Sequence, residues 1–191
     1  MTERDADRME SQGTLSQIFD ETSARARALR GALDGWPCQR GCDHCCRNLS
    51  RSPEINSVEW RRLSRGIEGL DASTRNAARA RLQDAEAAPE GQVTCPLLDG
   101  DRGLCLVYAD RPSACRSSGF YRTRAFDLWC PDVTDHLQRP GTEALVMGNQ
   151  DALDRQLVRL AGPARPLSHW WRDEDPGALP TDGAHGQPTP F

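Results

Sequence analysis

Cys38-Gln39-Arg40-Gly41-Cys42-Asp43-His44-Cys45-Cys46 places four thiols within nine residues, and the rest of the chain is read outward from it. Thiolates two or three residues apart can converge on one cation while the backbone between them turns back, which is why such spacings recur at metal sites. Gly41, immediately before Cys42, eases that turn. The adjacent pair Cys45-Cys46 is harder to aim at a single ion. One of the two can bind the metal while the other serves a second metal or stays a free redox thiol.

Three further cysteines, Cys95, Cys105 and Cys115, lie at ten-residue intervals, too wide for a zinc knuckle of their own. They need the first four. A metal shared between the loop near residue 40 and the segment near residue 100 would staple the two halves of the chain, each bond adding to folding energy. Seven thiols exceed the four ligands of one zinc or one four-iron cluster, so either two sites or one larger site is implied.

The remaining composition agrees with a modest core. The chain has 191 residues and 37% hydrophobic residues, enough for one domain but short for two full hydrophobic cores. The formal charge of −4 offers no bulk attraction to nucleic acid or an anionic membrane, and no membrane partner is expected. All 24 basic residues are arginines spread along the chain, a pattern that a GC-rich genome explains better than a dedicated binding patch. The charged first ten residues lead into no apolar run, so no secretory signal is expected there. A cytoplasmic setting follows as the expectation, with thiols kept reduced and metal or redox chemistry favoured over disulfides.

Periodicity predicts mostly helix. Residues 1–12 read as a disordered polar start. Leu15, Ile18, Phe19, Thr22, Ala26, Leu29 and Leu33 then recur at helical spacing, up to a stop between Gly31 and Gly35. Cys38 to Ser52 carries no regular pattern and reads as a loop shaped by what it binds. Asn56 with Glu59 forms a capping-box variant that opens a second helix, with Trp60, Leu63, Ile67 and Leu70 on one face. Residues 72–88 favour a third helix by propensity. Residues 92–108 read as a hairpin, and a register with Leu98 facing Arg102 would set Cys95 opposite Cys105. Pro112 suits the first turn of a short helix bearing Cys115. Residues 119–140 read as irregular. Glu143 to Leu160 is helical in spacing, with Gly148-Asn149 kinking or splitting it. The Pro/Gly-rich residues 163–191 read as a largely disordered tail in which Trp170-Trp171 anchors on the core. The fold expected is mainly α with a small β-hairpin, a single metal-stapled cysteine-cluster domain over residues 13–162.

Cys38-x3-Cys42-x2-Cys45-Cys46, followed by Cys95-Pro-Leu-Leu and by Cys105-Leu-Val-Tyr-Ala-Asp-Arg-Pro-Ser-Ala-Cys115-Arg, resembles the YkgJ-type cysteine-cluster family, the zinc- or iron-chelating CxxCxxCC domain. The resemblance spans residues 36–118 and opens Cys-x3-Cys where the family has Cys-x2-Cys; Cys130 lies outside it. It implies a centre of iron–sulfur, iron or zinc held by Cys38, Cys42, Cys45, Cys46, Cys95, Cys105 and Cys115, in a family largely without assigned reactions. On the family's pattern Arg111 and Arg116 lie close to the centre, where guanidinium groups would offset the net negative charge of four thiolates around a metal. Flagellin lysine methylases carry a similar cysteine pattern, which implies a possible methyl-transfer enzyme as an alternative to a redox or metal-handling protein. A zinc-stapled interaction scaffold is a third reading.

His44 offers an imidazole inside the cluster, although sulfur is abundant there. His136 and His169 lack partners at ligand spacing and read as surface or packing residues. Asp99 and Asp101 resemble the start of a calcium loop but no Glu follows at the twelfth position, so a turn is expected. Gly-rich phosphate loops and a nucleophilic-serine motif are absent.

Overall fold

A computed structural model of the chain describes residues 3–87, 93–125, 127 and 129–173. Within them the fold is mainly helical, with three two-stranded ladders of two residues per strand. The expected disordered tail beyond residue 173 lies outside the described residues.

The first helix, α1 (Glu3–Ala32), starts earlier than expected: residues 3–12, read as a disordered start, are helical. Gln12 explains part of this, because its side-chain amide donates to the Val58 carbonyl at 3.1 Å and accepts from Arg65 at 3.0 Å, tying the first turns to the next long helix. The apolar stripe of α1 buries Leu15, Ile18, Phe19, Ala26 and Leu29 as the periodicity predicted, and Trp36 follows them into the interior.

After the cysteine loop, which contains the single turn α2 (His44–Arg47), the chain forms β1 (Glu54–Ile55) and α3 (Ser57–Glu68). The capping box at Asn56 is present: its side chain accepts from Val58 N and Glu59 N, and Glu59 returns to the Asn56 N–H. Helix α4 (Ala72–Ala87) contributes Ala78 and Leu82, its thin buried side. The hairpin then runs β2 (Leu98–Asp99) to β3 (Leu104–Cys105). Its register corrects the expected one: Leu98 faces Cys105 and Asp99 faces Leu104. The cause is the turn. Asp99 Oδ1 accepts from the N–H groups of Asp101 and Arg102, and Gly103 takes φ +64°, so residues 100–103 are all spent on reversal and Arg102 never enters a strand.

A 3₁₀ turn (Tyr108–Asp110) leads to α5 (Ser113–Ser117), then β4 (Tyr121–Arg122). The segment read as irregular holds another helix, α6 (Pro131–Leu137), which Pro131 opens at a first-turn position. Residues 143–147 are not helical; Gly148-Asn149 form β5, parallel to β4, and α7 (Gln150–Ala161) begins only there, capped by Asn149. The expected single helix is thus shortened, since a side chain at Gly148 would collide with the Tyr121 ring that packs on it.

Residues 163–173 are not a disordered tail. β6 (Arg165–Pro166) pairs antiparallel with β1, and α8 (Leu167–Asp173) follows. Trp170 Nε1 donates to the Ile55 carbonyl at 2.8 Å, and Trp171 meets Trp60 edge-on, so the aromatic pair anchors the segment as its composition suggested.

Buried side chains form two clusters. The first joins α1, Trp36, Val58, Phe120, Tyr121, Val133 and α7; the second joins Ile55, Trp60, Leu63, Ile67, Ala78, Leu82, Leu97, Val107, Leu167 and Trp170. Cys38 and Cys130 pack against the first cluster, Cys95 and Cys105 against the second. The cysteines therefore line the seam between two apolar cores. No helix among the described residues is long and apolar enough to cross a membrane.

Candidate metal centre

Backbone pairing, not sulfur alone, brings the cysteine loop to the hairpin. Leu49 and Val93 exchange both hydrogen bonds, at 3.0 and 2.7 Å, and Cys95 N donates to the Cys46 carbonyl at 2.6 Å. Arg47 clamps the other side: its Nε bonds Asp43 at 2.6 Å and its Nη2 donates to the Gly100 carbonyl at 2.8 Å. Gly103 lets this happen, because a Cβ there would stand 3.1 Å from Asp43 Oδ2.

A buried carboxylate sets the third segment. Glu59, almost fully enclosed, accepts at Oε1 from both the backbone N–H (2.8 Å) and the hydroxyl of Ser113, and at Oε2 from Asn56 N at 3.2 Å. Helix α5, and with it Cys115, is fixed to the N-terminus of α3 by this bridge.

All eight cysteines are free thiols, and they fall into two groups facing two small adjoining cavities. On the hairpin side, a cavity of about 60 Å³ is lined by Cys46, Cys95, Cys105 and Cys115, with Cys42 and Cys45 at its border. Cys95 acts on the Cys46 thiol, and Cys46, Cys105 and Cys45 all act electrostatically on Cys115. On the helix side, a cavity of about 90 Å³ is lined by Cys38, Cys42 and Cys130, again with Cys45 and Cys115 between the two. Cys45 Sγ lies 4.0 Å from Cys46 Sγ. Cys46 lines only the hairpin-side cavity, while Cys45 lines both. The structure brings all seven sequence-predicted cysteines to the seam and adds Cys130, which the family pattern left out.

The thiols oppose ionisation. Burial, reinforced by Cys42 and Cys130, pushes Cys38 up to about 12. At Cys46 the contact with Cys45 pulls down, but the contact with Cys95 and burial outweigh it and carry the thiol up to about 12. Cys45 is raised first by its hydrogen bond to Cys46 and then by burial; burial leads for Cys42, Cys105 and Cys115, all raised. Crowded anions in a partly dry seam are unfavourable unless a cation neutralises them.

The two arginines divide in role. Arg111 lines both cavities, lowers the thiol pKa of Cys105 and Cys115, and lies with its guanidinium 3.6 Å from the Tyr108 ring centre. Arg116 instead braces the 3₁₀ turn: its Nε donates to the Arg111 carbonyl at 2.7 Å and its guanidinium stacks 4.1 Å from the Phe19 ring centre. Burial, with Arg111 and Arg62 beside it, brings Arg116 down to about 10. Asp110 pairs with Arg62 at 3.1 Å, and its charge partly offsets the effect of the neighbouring arginines on Arg116. Tyr108 packs between Arg40 and Arg111. Of the histidines, His136 is buried edge-on to Trp36, while His44 stands near Asp132, with 3.7 Å between Nδ1 and Oδ2.

The donor set fits a soft or borderline metal. Thiolates select zinc, iron and iron–sulfur clusters, and neither cavity has the volume of a pocket for an organic cofactor. Space is reserved for sulfur: at Gly119, φ +81°, a Cβ would come 2.2 Å from Cys38 Sγ. Sequence reasoning missed Cys130, Asp132 and the Glu59–Ser113 bridge. For Cys130 the available signal was Cys-Pro, an extended residue before a first-turn proline, which marks a helix start and not irregular chain.

No curated protein and no solved structure gives a match to this chain. One family does. The model of the CxxCxxCC family, described as "Putative zinc- or iron-chelating domain", matches residues 37–133, just over half of the chain and a span that includes all eight cysteines. The chain belongs to the CxxCxxCC family of zinc- or iron-chelating domains.

Proposed function

We propose that the hairpin-side group, Cys46, Cys95, Cys105 and Cys115, holds an iron–sulfur cluster and that the protein serves in one-electron redox chemistry. The observation that carries this reading is the convergence of these four thiols, with Cys42 and Cys45 beside them, from separate segments on one small cavity next to Arg111 and backed by the second apolar core. Four thiolates are the ligand set of a four-iron cluster, and a cluster so held supplies a one-electron couple. Arg111 offsets part of the negative charge of the thiolates, and the Leu97, Leu98, Val107 and Leu167 side chains limit water around them, both of which tune a potential.

Anaerobic purification followed by iron, zinc and acid-labile sulfide analysis tests it. Brown protein with a broad band near 400 nm and matched iron and sulfide is the expected result. Colourless protein with stoichiometric zinc would replace redox chemistry with a zinc-stapled scaffold. Protein that carries no metal and folds fully in chelator would overturn metal binding at this group altogether.

A further inference from the structure

The helix-side group has a composition of its own. Cys130 caps α6 and Asp132 lies in its first turn; Cys42 precedes α2 and His44 begins it. The His44 and Asp132 side chains approach each other beside Cys130. Ligand atoms of His44, Cys130 and Asp132 all lie within 4.8 Å of one another. The separation of 3.7 Å between His44 Nδ1 and Asp132 Oδ2 is too long for a hydrogen bond. It is close to the roughly 3.4 Å that separates two ligands, each about 2.1 Å from a shared tetrahedral ion. Cys42 lines the helix-side cavity with Cys130 but is not among the ligand atoms that converge there, and Cys38 is seated against Gly119. Imidazole, carboxylate and thiolate together suit zinc or ferrous iron and not a cluster of thiolate-bridged type.

We propose that His44, Cys130 and Asp132 form a second, mononuclear divalent-metal site of mixed nitrogen, sulfur and oxygen ligands, with its fourth position open to a ligand from solution, separate from the four-thiolate group on the hairpin side. His44 and Asp132 are its solvent-facing ligands, with side chains 37% and 59% exposed. The ion therefore stands at the surface, where it can exchange and where a ligand from solution can reach it. Cys45, at the border of both cavities, lies between the two centres. The site does not depend on what the hairpin-side group holds.

Cobalt(II) is the probe. The full chain, purified anaerobically, is incubated with excess Co²⁺, freed of unbound metal, and measured for retained cobalt, resident metal and the visible d–d spectrum. Wild type is expected to retain one equivalent of Co²⁺ with a tetrahedral spectrum. C130S and the surface double variant H44Q/D132N should each lose it, the latter with far-UV circular dichroism unchanged. C105S should keep it while losing resident metal from the hairpin side. Retention of cobalt by both C130S and H44Q/D132N would overturn the second site. So would simultaneous loss of all metal in C130S and C105S alike, which means one merged centre. Resident metal that depends on Cys105, with no cobalt uptake that depends on His44 and Asp132, would leave the proposed four-thiolate centre standing and remove this one.

Discussion

Replacing Glu59 by alanine should unfasten the cysteine seam from a distance. The carboxylate accepts three hydrogen bonds, two from Ser113 and one from Asn56 N, in a place that is 3% exposed. Hydrogen bonds to a charged acceptor contribute roughly 1.5–3 kcal/mol each, which sets a ceiling of about 4–9 kcal/mol for the three. The Ser113 hydroxyl can rotate to a new acceptor, but the buried N–H groups of Ser113 and Asn56 would be left without one at roughly 1–3 kcal/mol each, so the substitution should cost about 2–6 kcal/mol. At an m-value of about 2 kcal/mol per molar urea, that is a fall of about 1–3 M in the unfolding midpoint. Glu59→Gln keeps the shape and one acceptor, and should lose about half as much. The measurement is urea unfolding of wild type, E59A, S113A and the double variant, each with and without metal. A large positive coupling energy in the double-mutant cycle is expected, as is faster loss of metal to chelator in E59A, since α5 carries Cys115. A fall of under about 1 kcal/mol in E59A, or additive effects of the two substitutions, would refute the bridge as the support of α5.

Gly119→Ala combines a left-handed backbone with a Cβ against Cys38 Sγ, and should destabilise by about 1–3 kcal/mol from backbone strain alone, read by thermal unfolding; an unchanged midpoint would argue against that packing. Metal uptake should strengthen as pH rises. The thiol of Cys46, pushed up to about 12, holds its proton at neutral pH, so binding must displace it. Each proton displaced makes apparent affinity rise tenfold per pH unit below the thiol pKa, measurable by competition with a chromophoric chelator between pH 6 and 9. Trp170→Ala removes a buried indole and its bond to the Ile55 carbonyl, at a cost of about 3–5 kcal/mol, and limited proteolysis should then cut within residues 163–173.

What the sequence disclosed follows the range of the forces involved. Helix α3 was legible because its signals are local: Asn56 and Glu59 three apart, then Trp60, Leu63 and Ile67 on one side, although Leu70, expected on the same face, lies past its end at Glu68. The loop-to-hairpin meeting was also legible, since thiols at those spacings have few other uses. The hairpin register was not, because the Asp99 side chain reorganises the turn and shifts pairing from Cys95 to Leu98 opposite Cys105. Glu59 reading Ser113 across 54 residues, and Cys130 reaching the cavity of Cys38, are products of packing between remote elements. No periodicity announces either. The N-terminal residues were misread for the same reason: nothing near Gln12 in sequence reveals the Val58 carbonyl waiting for it.

A seam assembled from residues 38 to 130 also imposes a schedule. The 84 residues from Arg47 to Cys130 take roughly 4–17 s to synthesise at about 5–20 residues per second. Through that interval the first four thiols have left the ribosome without their partners, open to any metal in the cell and to oxidation. The proposed four-thiolate group is therefore complete only once Cys115 has emerged, and the helix-side wall only after α6 has formed.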